Sequence, residues 1–288
     1  MLGTRTLQML VKLVSGLTIA FLVVLTVSLV RSPRQAIFGI SRYLSRENTS
    51  IRTKDLSEVR TPHFTIKYHD ENKTSIPIIA ANVEEIYGPV TRIFGSEPNE
   101  KTLIVVYPDS ESLAKSFGWD KNERAMGVYW GGTIRVLDPQ QWINAGDVKM
   151  EFTKQGPMAH EFTHLMVDYY TQGNYPRWFT EGIAQYVERI ITGFEFSPPF
   201  SYNSQSVTYY DFTAMENGFD TLDQRIVYWE SLRAVQYIAD KYGEKTLFSI
   251  MTNLGLGYEM PTAFVKATGV TFVDFAQDFY TFLDKNPQ

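Results

Sequence analysis

The chain has 288 residues, 44% of them hydrophobic and 14% aromatic, which suits one large or two modest domains with a substantial core. Its 27 basic and 32 acidic residues give a formal net charge of −5, which excludes the basic surface expected of a nucleic-acid-binding protein. The lack of cysteine excludes disulfides, thiolate nucleophiles and cysteine-ligated zinc.

The first predicted element is an apolar stretch. It follows a short tail of residues 1–12, and residues 13–30 carry no charged side chain. As a helix this stretch would be about 27 Å long, close to the roughly 30 Å hydrocarbon core of a bilayer. A core helix is rarely so apolar on every side, and Val27–Arg31 makes a poor signal-peptidase site. We therefore predict a single transmembrane anchor rather than a core helix or a cleaved signal peptide.

Residues 31–60 are basic and polar, with a short amphipathic piece at residues 37–44. This composition is typical of a tether that lies near lipid headgroups, so we predict a basic juxtamembrane linker. The folded domain is then predicted to occupy residues 61–288.

The first part of this domain, residues 61–148, has the patterns of a small mixed sheet with helices. Alternating or continuously apolar runs predict strands at His63–Tyr68, Thr102–Tyr107, Gly127–Trp130 and Thr133–Leu137. Gly131-Gly132, between the last two runs, is a hairpin signal. Helical spacing predicts helices at residues 76–94 and 110–117.

The remainder of the domain has mainly helical patterns. Residues 149–192 are predicted to form helices around a break at Gly173-Asn174, residues 193–226 a long loop, and residues 227–288 a helical part. We therefore predict an α+β fold, in which a small mixed sheet with helices precedes a mainly helical subdomain.

The helix before the break carries His160-Glu161-Phe162-Thr163-His164. Residues four apart share a helix face, so the two imidazoles can bind one metal ion. Glu161 lies beside them, where it could act as a base for a water molecule on that metal. The alternative is a pair of ordinary half-buried histidines on an amphipathic helix.

A catalytic zinc ion needs a third protein ligand. No histidine follows His164, so this ligand must be a carboxylate, and Glu181 is the outstanding candidate just inside the next helix. Glu188 lies two helical turns further on the same face and is a candidate to orient a ligand imidazole by a hydrogen bond. The alternatives are a capping or surface role for Glu181 and a solvated carboxylate at Glu188.

This pattern resembles a known family. His160-Glu161-x-x-His164 followed by Trp178-x-x-Glu181-Gly182-x-Ala184-x-Tyr186-x-Glu188 is similar to the motif of gluzincin-clan zinc metallopeptidases, in particular compact peptidase MA-like domains related to the aminopeptidase M1 and thermolysin groups. The resemblance implies one zinc ion bound by His160, His164 and Glu181 on a zincin-type active-site helix, with Glu161 as general base. The link of sixteen residues between His164 and Glu181 is shorter than in those groups, so substrate preference does not transfer.

The resemblance implies hydrolysis of peptide bonds in a peptide or protein substrate by a zinc-bound water. The oxyanion that develops needs another donor. Thermolysin-like enzymes use a downstream histidine, which this chain lacks, so a tyrosine is expected as in the M1 group. Tyr228 is our candidate, with Tyr209 and Tyr210 as alternatives. Thr133–Leu137 is a candidate strand for holding an extended substrate, and the alternative is an ordinary hairpin.

Together these inferences predict a membrane-anchored zinc metallopeptidase, held in the membrane through residues 13–30. Arg31, Arg34, Arg42 and Arg46 follow the apolar stretch, and by the positive-inside rule they favour a cytoplasmic domain. Single-span anchors of peptidases usually present the catalytic domain outward, so we predict an extracytoplasmic domain. The alternative is a catalytically silent MA-like domain that serves as a binding or cell-envelope scaffold module. Glu161 favours the enzyme, because a site used only for binding does not need the base.

Overall fold

The computed structural model describes residues 12–19, 21, 33–120, 125–144, 146–197, 199 and 208–286. Residues 12–19 and 21 are helical, and within the described ranges no helix has the length and apolar character needed to cross a membrane. Residues 20 and 22–30 of the predicted anchor lie outside these ranges. The anchor therefore stays a prediction.

Within the described residues, five strands form one mixed sheet. In chain order they are β1 (Ser57–Arg60), β2 (Phe64–Tyr68), β3 (Thr102–Tyr107), β4 (Gly127–Trp130) and β5 (Thr133–Leu137). Across the sheet the order is β1-β2-β3-β5-β4. Strands β2, β3 and β5 are parallel, whereas β1 and β4 pair antiparallel at the two edges. The predicted small mixed sheet is confirmed, with one strand more than the sequence patterns indicated.

The hairpin between β4 and β5 follows from its two glycines. Gly131 and Gly132 have φ values of 53° and 86°, and glycine adopts two consecutive positive φ angles without the steric cost that a side chain brings. The tight turn pairs Trp130 with Thr133 and leaves β4 as the outer strand. Strand β4 thereby comes to lie beside the helix that carries the histidine motif.

The other long elements of the described chain are helices. Those before the histidine motif are α1 (Pro33–Arg52), α2 (Ile76–Phe94), α3 (Ser110–Phe117) and α4 (Val148–Gln155). The motif helix and those after it are α5 (Met158–Thr171), α6 (Arg177–Thr192), α7 (Phe212–Asn217), α8 (Gln224–Tyr242), α9 (Glu244–Gly255), α10 (Met260–Thr268) and α11 (Phe272–Lys285). The α+β class with a mainly helical second part is confirmed.

From residue 33 onwards, the predicted linker of residues 31–60 is folded. Helix α1 packs along the domain and buries Thr49. Thr53, the next residue after the helix, is also buried, and β1 joins the sheet. The Arg135 guanidinium donates to Thr49 Oγ1 at 3.2 Å, and Lys67 Nζ donates to the carbonyl oxygen of Thr53 at 3.3 Å. The linker prediction failed because these contacts join residues far apart in the chain, which local composition does not show.

The predicted long loop of residues 193–226 is partly helical where the structure describes it. Helix α7 lies within it, and α8 begins before the predicted start at residue 227. Asp223 caps α8, because its side chain accepts a hydrogen bond from the backbone amide of Arg225 at 3.0 Å. Residues 198 and 200–207 of this loop lie outside the described ranges.

Helices α5, α6 and α8 form the layer that positions the candidate site. The large side chains of Phe162, Trp178 and Phe179 are buried in the core that α5 and α6 share. Helix α8 packs closely on α6 at Gly182, where a Cβ atom would lie only 2.3 Å from the backbone carbonyl oxygen of Ser231. The approach of α6 and α8 therefore requires glycine at this position.

We expect Gly182→Ala to lower the free energy of unfolding by about 1–3 kcal/mol, because the added methyl group must push α8 away from α6. The measurement is urea denaturation of the full chain. Gly88→Ala in α2 is the matched control, since a Cβ there would first meet the flexible end of Arg92 at 3.1 Å. Equal unfolding midpoints for the two variants would show that α6 and α8 are not closely packed.

Candidate metal centre

The two histidines of the motif converge with one glutamate. His160 and His164 lie one turn apart on α5, and their Nε2 atoms are 3.3 and 3.4 Å from the same Oε2 atom of Glu181. One potential ligand atom from each of these three residues lies within 4.8 Å of the others. The structure thus brings together the three residues that the sequence predicted as metal ligands.

Local backbone conformation places Glu181 opposite the histidines. Helix α5 ends at Thr171. The next residue, Gln172, caps the helix with a φ of 52°, and Gly173 continues the reversal with a φ of 73°. Pro176 then precedes the first turn of α6, where its fixed φ suits the entry to a helix. Glu181 lies in the second turn of α6 and faces α5.

Burial and charge make this site suitable for a cation. Burial alone would raise the pKa of Glu181, but the nearby His164 and the hydrogen bonds from both imidazoles hold the pKa well below its usual range. Burial alone would lower the pKa of His160, yet hydrogen bonds to Glu181 and Glu188 raise the pKa well above its usual range. Two imidazole nitrogens and one ionised carboxylate are a donor set used by catalytic zinc sites. These residues therefore fit a zinc ion.

The second nitrogen of each imidazole is also engaged. His160 Nδ1 lies 3.2 Å from Glu188 Oε2, and His164 Nδ1 lies 2.7 Å from Thr180 Oγ1. Partners of this kind fix ring orientation and leave Nε2 free for a metal. Glu188 was predicted in this position. Thr180 was missed, and its place directly before Glu181 is the one signal in the sequence that could have suggested it.

Glu161 is buried beside the histidine pair, with its carboxylate held by the sheet. Its Oε2 atom accepts a hydrogen bond from the backbone amide of Tyr129 on β4 at 2.6 Å. Burial raises the pKa of Glu161, and the nearby His160 and His164 oppose this only in part. A raised pKa brings the carboxyl group closer to the range in which it can both take up and release a proton near neutral pH.

A second network, which the sequence did not reveal, joins β4 to α5. The Tyr129 hydroxyl donates a hydrogen bond to Asp168 Oδ2 and accepts one from the backbone amide of Gly132 at 3.1 Å. The Tyr175 hydroxyl lies 3.3 Å from Asp168 Oδ1, and Asp168 is buried one turn after His164. The network ties the strand whose amide contacts Glu161 to the helix that carries Glu161.

We expect Tyr129→Phe to lower the free energy of unfolding by about 1–3 kcal/mol, because the buried carboxylate of Asp168 loses a donor. Thermal or urea unfolding of the full chain measures this. Tyr186→Phe is the control, since its hydroxyl bonds the exposed Glu244 and its loss should change stability by less than about 0.5 kcal/mol. A loss at Tyr129 no larger than at Tyr186 would mean that the network does not hold β4.

Of the three candidate tyrosines, Tyr228 lies beside the site. Burial raises the pKa of its hydroxyl, the charges of Glu181 and Glu161 raise the pKa further, and a hydrogen bond with Arg177 opposes them. Tyr228 is therefore a neutral donor close to both site carboxylates. The Nε atom of its neighbour Arg177 lies 3.3 Å from Glu181 Oε1 and donates a hydrogen bond to it.

Tyr209 and Tyr210 lie against other elements. The Tyr209 ring stacks on Trp229, with 6.2 Å between ring centroids. The Tyr210 hydroxyl accepts a hydrogen bond from the backbone amide of Asp223 at 3.2 Å. These contacts place both tyrosines on the helical part that includes α8, and neither contact involves a candidate ligand.

The strand predicted to hold the substrate is not at the edge of the sheet. Strand β5, Thr133–Leu137, pairs with β3 on one side and β4 on the other, and all its residues are buried. The edge strand next to the motif helix is β4, where a Cβ atom on Gly127 would lie 2.9 Å from Glu161 Cγ. The prediction was wrong because chain order gave no information about which hairpin strand turns inward.

Comparison with known proteins identifies the family of this chain. Residues 91–285, more than half of the chain, match the model of the Peptidase MA superfamily. The chain therefore belongs to the Peptidase MA superfamily, whose members are typically zinc-dependent, and the predicted peptidase MA-like domain is confirmed. The chain is also similar to the uncharacterized protein YhcO of Bacillus subtilis (strain 168), with 21% identity over 255 residues, 81% of this chain and 74% of that protein.

Proposed function

We propose that this protein is a membrane-anchored zinc metallopeptidase that hydrolyses peptide bonds in peptide or protein substrates. The observation that carries the proposal is the convergence of His160 Nε2 and His164 Nε2 on Glu181 Oε2, with Glu161 buried beside them. Superfamily membership supports the class of enzyme. A site used only for binding would gain nothing from a buried glutamate next to the histidines.

In this proposal His160, His164 and Glu181 hold one zinc ion. When bound, zinc supplies Lewis acidity that polarises the scissile carbonyl and makes a water molecule more acidic. Glu161 takes the proton from the attacking water and passes it to the leaving amine. The backbone amide of Tyr129 holds one oxygen of Glu161, so the other oxygen is available for proton transfer. Glu188 and Thr180 keep the two imidazoles oriented.

Tyr228 is the proposed donor to the oxyanion of the tetrahedral intermediate. Its raised pKa keeps the hydroxyl protonated, and the charges of Glu161 and Glu181 act on it. Arg177, which bonds Tyr228, Glu181 and Asp220, holds this side of the site together. A preorganised donor of this kind is worth about 10²- to 10³-fold in turnover.

We therefore expect Tyr228→Phe to lower turnover by about 10²- to 10³-fold without loss of zinc. The measurement is steady-state cleavage of a peptide, with zinc content determined on the same sample. Tyr209→Phe is the control and should keep nearly full activity, because its ring packs on Trp229. Loss of activity in Tyr209→Phe but not in Tyr228→Phe would reverse the assignment.

The membrane anchor and its orientation are part of the proposal. Residues 13–30 are long and apolar enough, as a helix, to span a bilayer. We propose that they anchor the chain and that the peptidase domain lies on the extracytoplasmic side. Cysteine scanning with a membrane-impermeant reagent tests the orientation, because the natural chain has no cysteine to interfere. Labelling of an exposed domain position only after cell lysis would contradict it.

The test of the enzymatic proposal is peptide cleavage by the purified full chain. The chain is stripped of metal, reloaded with zinc and incubated with a broad peptide library whose products are identified by mass spectrometry. We expect zinc-dependent cleavage that a chelator abolishes and zinc restores. Stoichiometric zinc binding without cleavage of any peptide would favour a catalytically silent module.

A further inference from the structure

Helix α1 has an apolar face that points away from the domain. Four large aliphatic residues, which we call the aliphatic stripe, are exposed on it: Ile37 (54%), Ile40 (58%), Leu44 (59%) and Ile51 (64%). Their spacings of three, four and seven residues place them on one side of the helix. Surface helices usually direct such residues towards a core, so the stripe requires another explanation.

The opposite side of α1 is already used by the domain. The Arg42 guanidinium lies 3.8 Å from the ring centroid of Tyr169, and Phe38 packs against Gly173, where a Cβ atom would lie 2.4 Å from its ring. Further along, Thr49 is buried and accepts a hydrogen bond from Arg135. These contacts fix the rotation of α1 about its axis and direct the stripe outward.

The charge of α1 and its place in the chain favour a lipid surface as the occupant. Residues 33–52 contain four arginines and one glutamate, whereas the whole chain has a net charge of −5. Arg42 and Arg46 contact the domain, and Arg52 at the end of the helix is exposed. The helix begins three residues after the uncharged stretch of residues 13–30. A helix that carries more arginine than glutamate, exposes an apolar stripe and follows the proposed anchor closely in the chain suits the interface of an anionic bilayer.

A second copy of the chain suits the stripe less well. In a heptad pattern that starts at Ile37 and Ile40, Glu47 falls on the position between Leu44 and Ile51 that faces the partner helix. Two copies would bring these carboxylates together in an apolar seam, which is unfavourable. In the hydrated headgroup region of a bilayer, by contrast, the Glu47 carboxylate can remain hydrated.

We propose that the aliphatic stripe of α1 docks on the surface of an anionic bilayer. This inference rests on the proposed anchor of residues 13–30 and adds a second, peripheral contact to it. Helix α1 also contacts the β4–β5 turn, since a Cβ atom on Gly131 would lie 2.5 Å from Ser45 Oγ. Docking therefore holds the candidate metal centre in a fixed orientation above the membrane, instead of on a flexible tether.

Site-directed spin labelling tests this docking on the full chain, which has no natural cysteine. Nitroxides are placed at Ile40→Cys and Leu44→Cys, and the chain is reconstituted in phosphatidylcholine vesicles that contain phosphatidylglycerol. Val273→Cys is the matched control, because Val273 is an aliphatic residue on α11 that is 76% exposed. Accessibility to dissolved oxygen and to a water-soluble nickel chelate is measured at each position.

Lipid contact has a distinctive signature, because oxygen concentrates in the bilayer and the chelate is excluded from it. We expect positions 40 and 44 to be severalfold less accessible to the chelate than position 273, with no loss of oxygen accessibility. Equal chelate accessibility at all three positions would overturn the proposal. Low accessibility to both oxygen and the chelate, falling further as the protein-to-lipid ratio is raised, would indicate contact between copies. That result would also overturn the proposal.

A charged variant separates docking from folding. In the otherwise native chain, a nitroxide at Ile51→Cys should be protected from the chelate in the same way as positions 40 and 44. The double substitution Ile40→Glu and Leu44→Glu should remove this protection at position 51, while zinc content and circular dichroism stay unchanged. Persistent protection at position 51 would contradict the proposal. Because zinc content and peptide cleavage are measured on the same samples, failure of lipid docking leaves the peptidase proposal standing, and the reverse also holds.

Discussion

Replacing Glu161 by glutamine is expected to lower peptide turnover by about 10²- to 10⁴-fold, the usual contribution of a general acid–base group. Glutamine keeps the size of the side chain and can still accept the hydrogen bond from the Tyr129 amide, so the local structure should persist. Glu161 is not one of the three converging ligands, and zinc content should remain at one ion per chain. The measurement combines turnover of one peptide with metal analysis.

Glu216→Gln, at an exposed position on α7, is the control for this substitution and should retain full turnover. If Glu161→Gln keeps more than about a tenth of the native turnover, Glu161 is not the base, since even the smallest typical contribution is larger. Loss of zinc together with activity would place Glu161 among the ligands instead.

Replacing Glu181 by alanine is expected to weaken zinc binding by more than the roughly 10- to 100-fold that loss of an outer partner costs. Glu181 is buried, and its Oε2 atom faces both imidazoles, so the variant loses a ligand and the negative charge of the site. Competition with a chromophoric zinc chelator gives the affinity. Activity at limiting zinc should fall in parallel.

Glu188→Gln provides an intermediate case for comparison. Its carboxylate bonds His160 Nδ1 and does not face the convergence point, so we expect a loss of zinc affinity of about 10- to 100-fold. An affinity for Glu181→Ala equal to that of the native chain would mean that the third ligand lies elsewhere. A larger loss in Glu188→Gln than in Glu181→Ala would exchange their proposed roles.

Elements with strong local patterns could be predicted from the sequence. The run Thr102–Tyr107 and the hairpin around Gly131-Gly132 have the bounds that their patterns indicated. Apolar periodicity and turn chemistry act within a few residues, so one sequence contains the required information. Helix α1 and strand β1 were missed because they are stabilised by distant partners, such as Arg135 for Thr49.

The site residues were likewise predicted where the signal is local and missed where the contact joins distant parts of the chain. His160, Glu161 and His164 were found because helical spacing is local, and Glu181 because no histidine remained downstream. The geometry now shows all three candidate ligands together. Tyr129 was not predicted, because its contact with Glu161 depends on strand β4 lying against α5, which no short motif encodes.

The central claim is that two imidazoles and one carboxylate of this chain hold one zinc ion. X-ray absorption spectroscopy of the zinc-loaded full chain tests it directly, because the method reports the atoms around the metal. We expect one zinc per chain, two imidazole nitrogens at about 2.0–2.1 Å and carboxylate or water oxygen at about 2.0–2.2 Å. The imidazole signal should be lost in the double variant His160→Ala and His164→Ala. Substoichiometric zinc in the native chain, or a zinc shell without imidazole, would contradict the account.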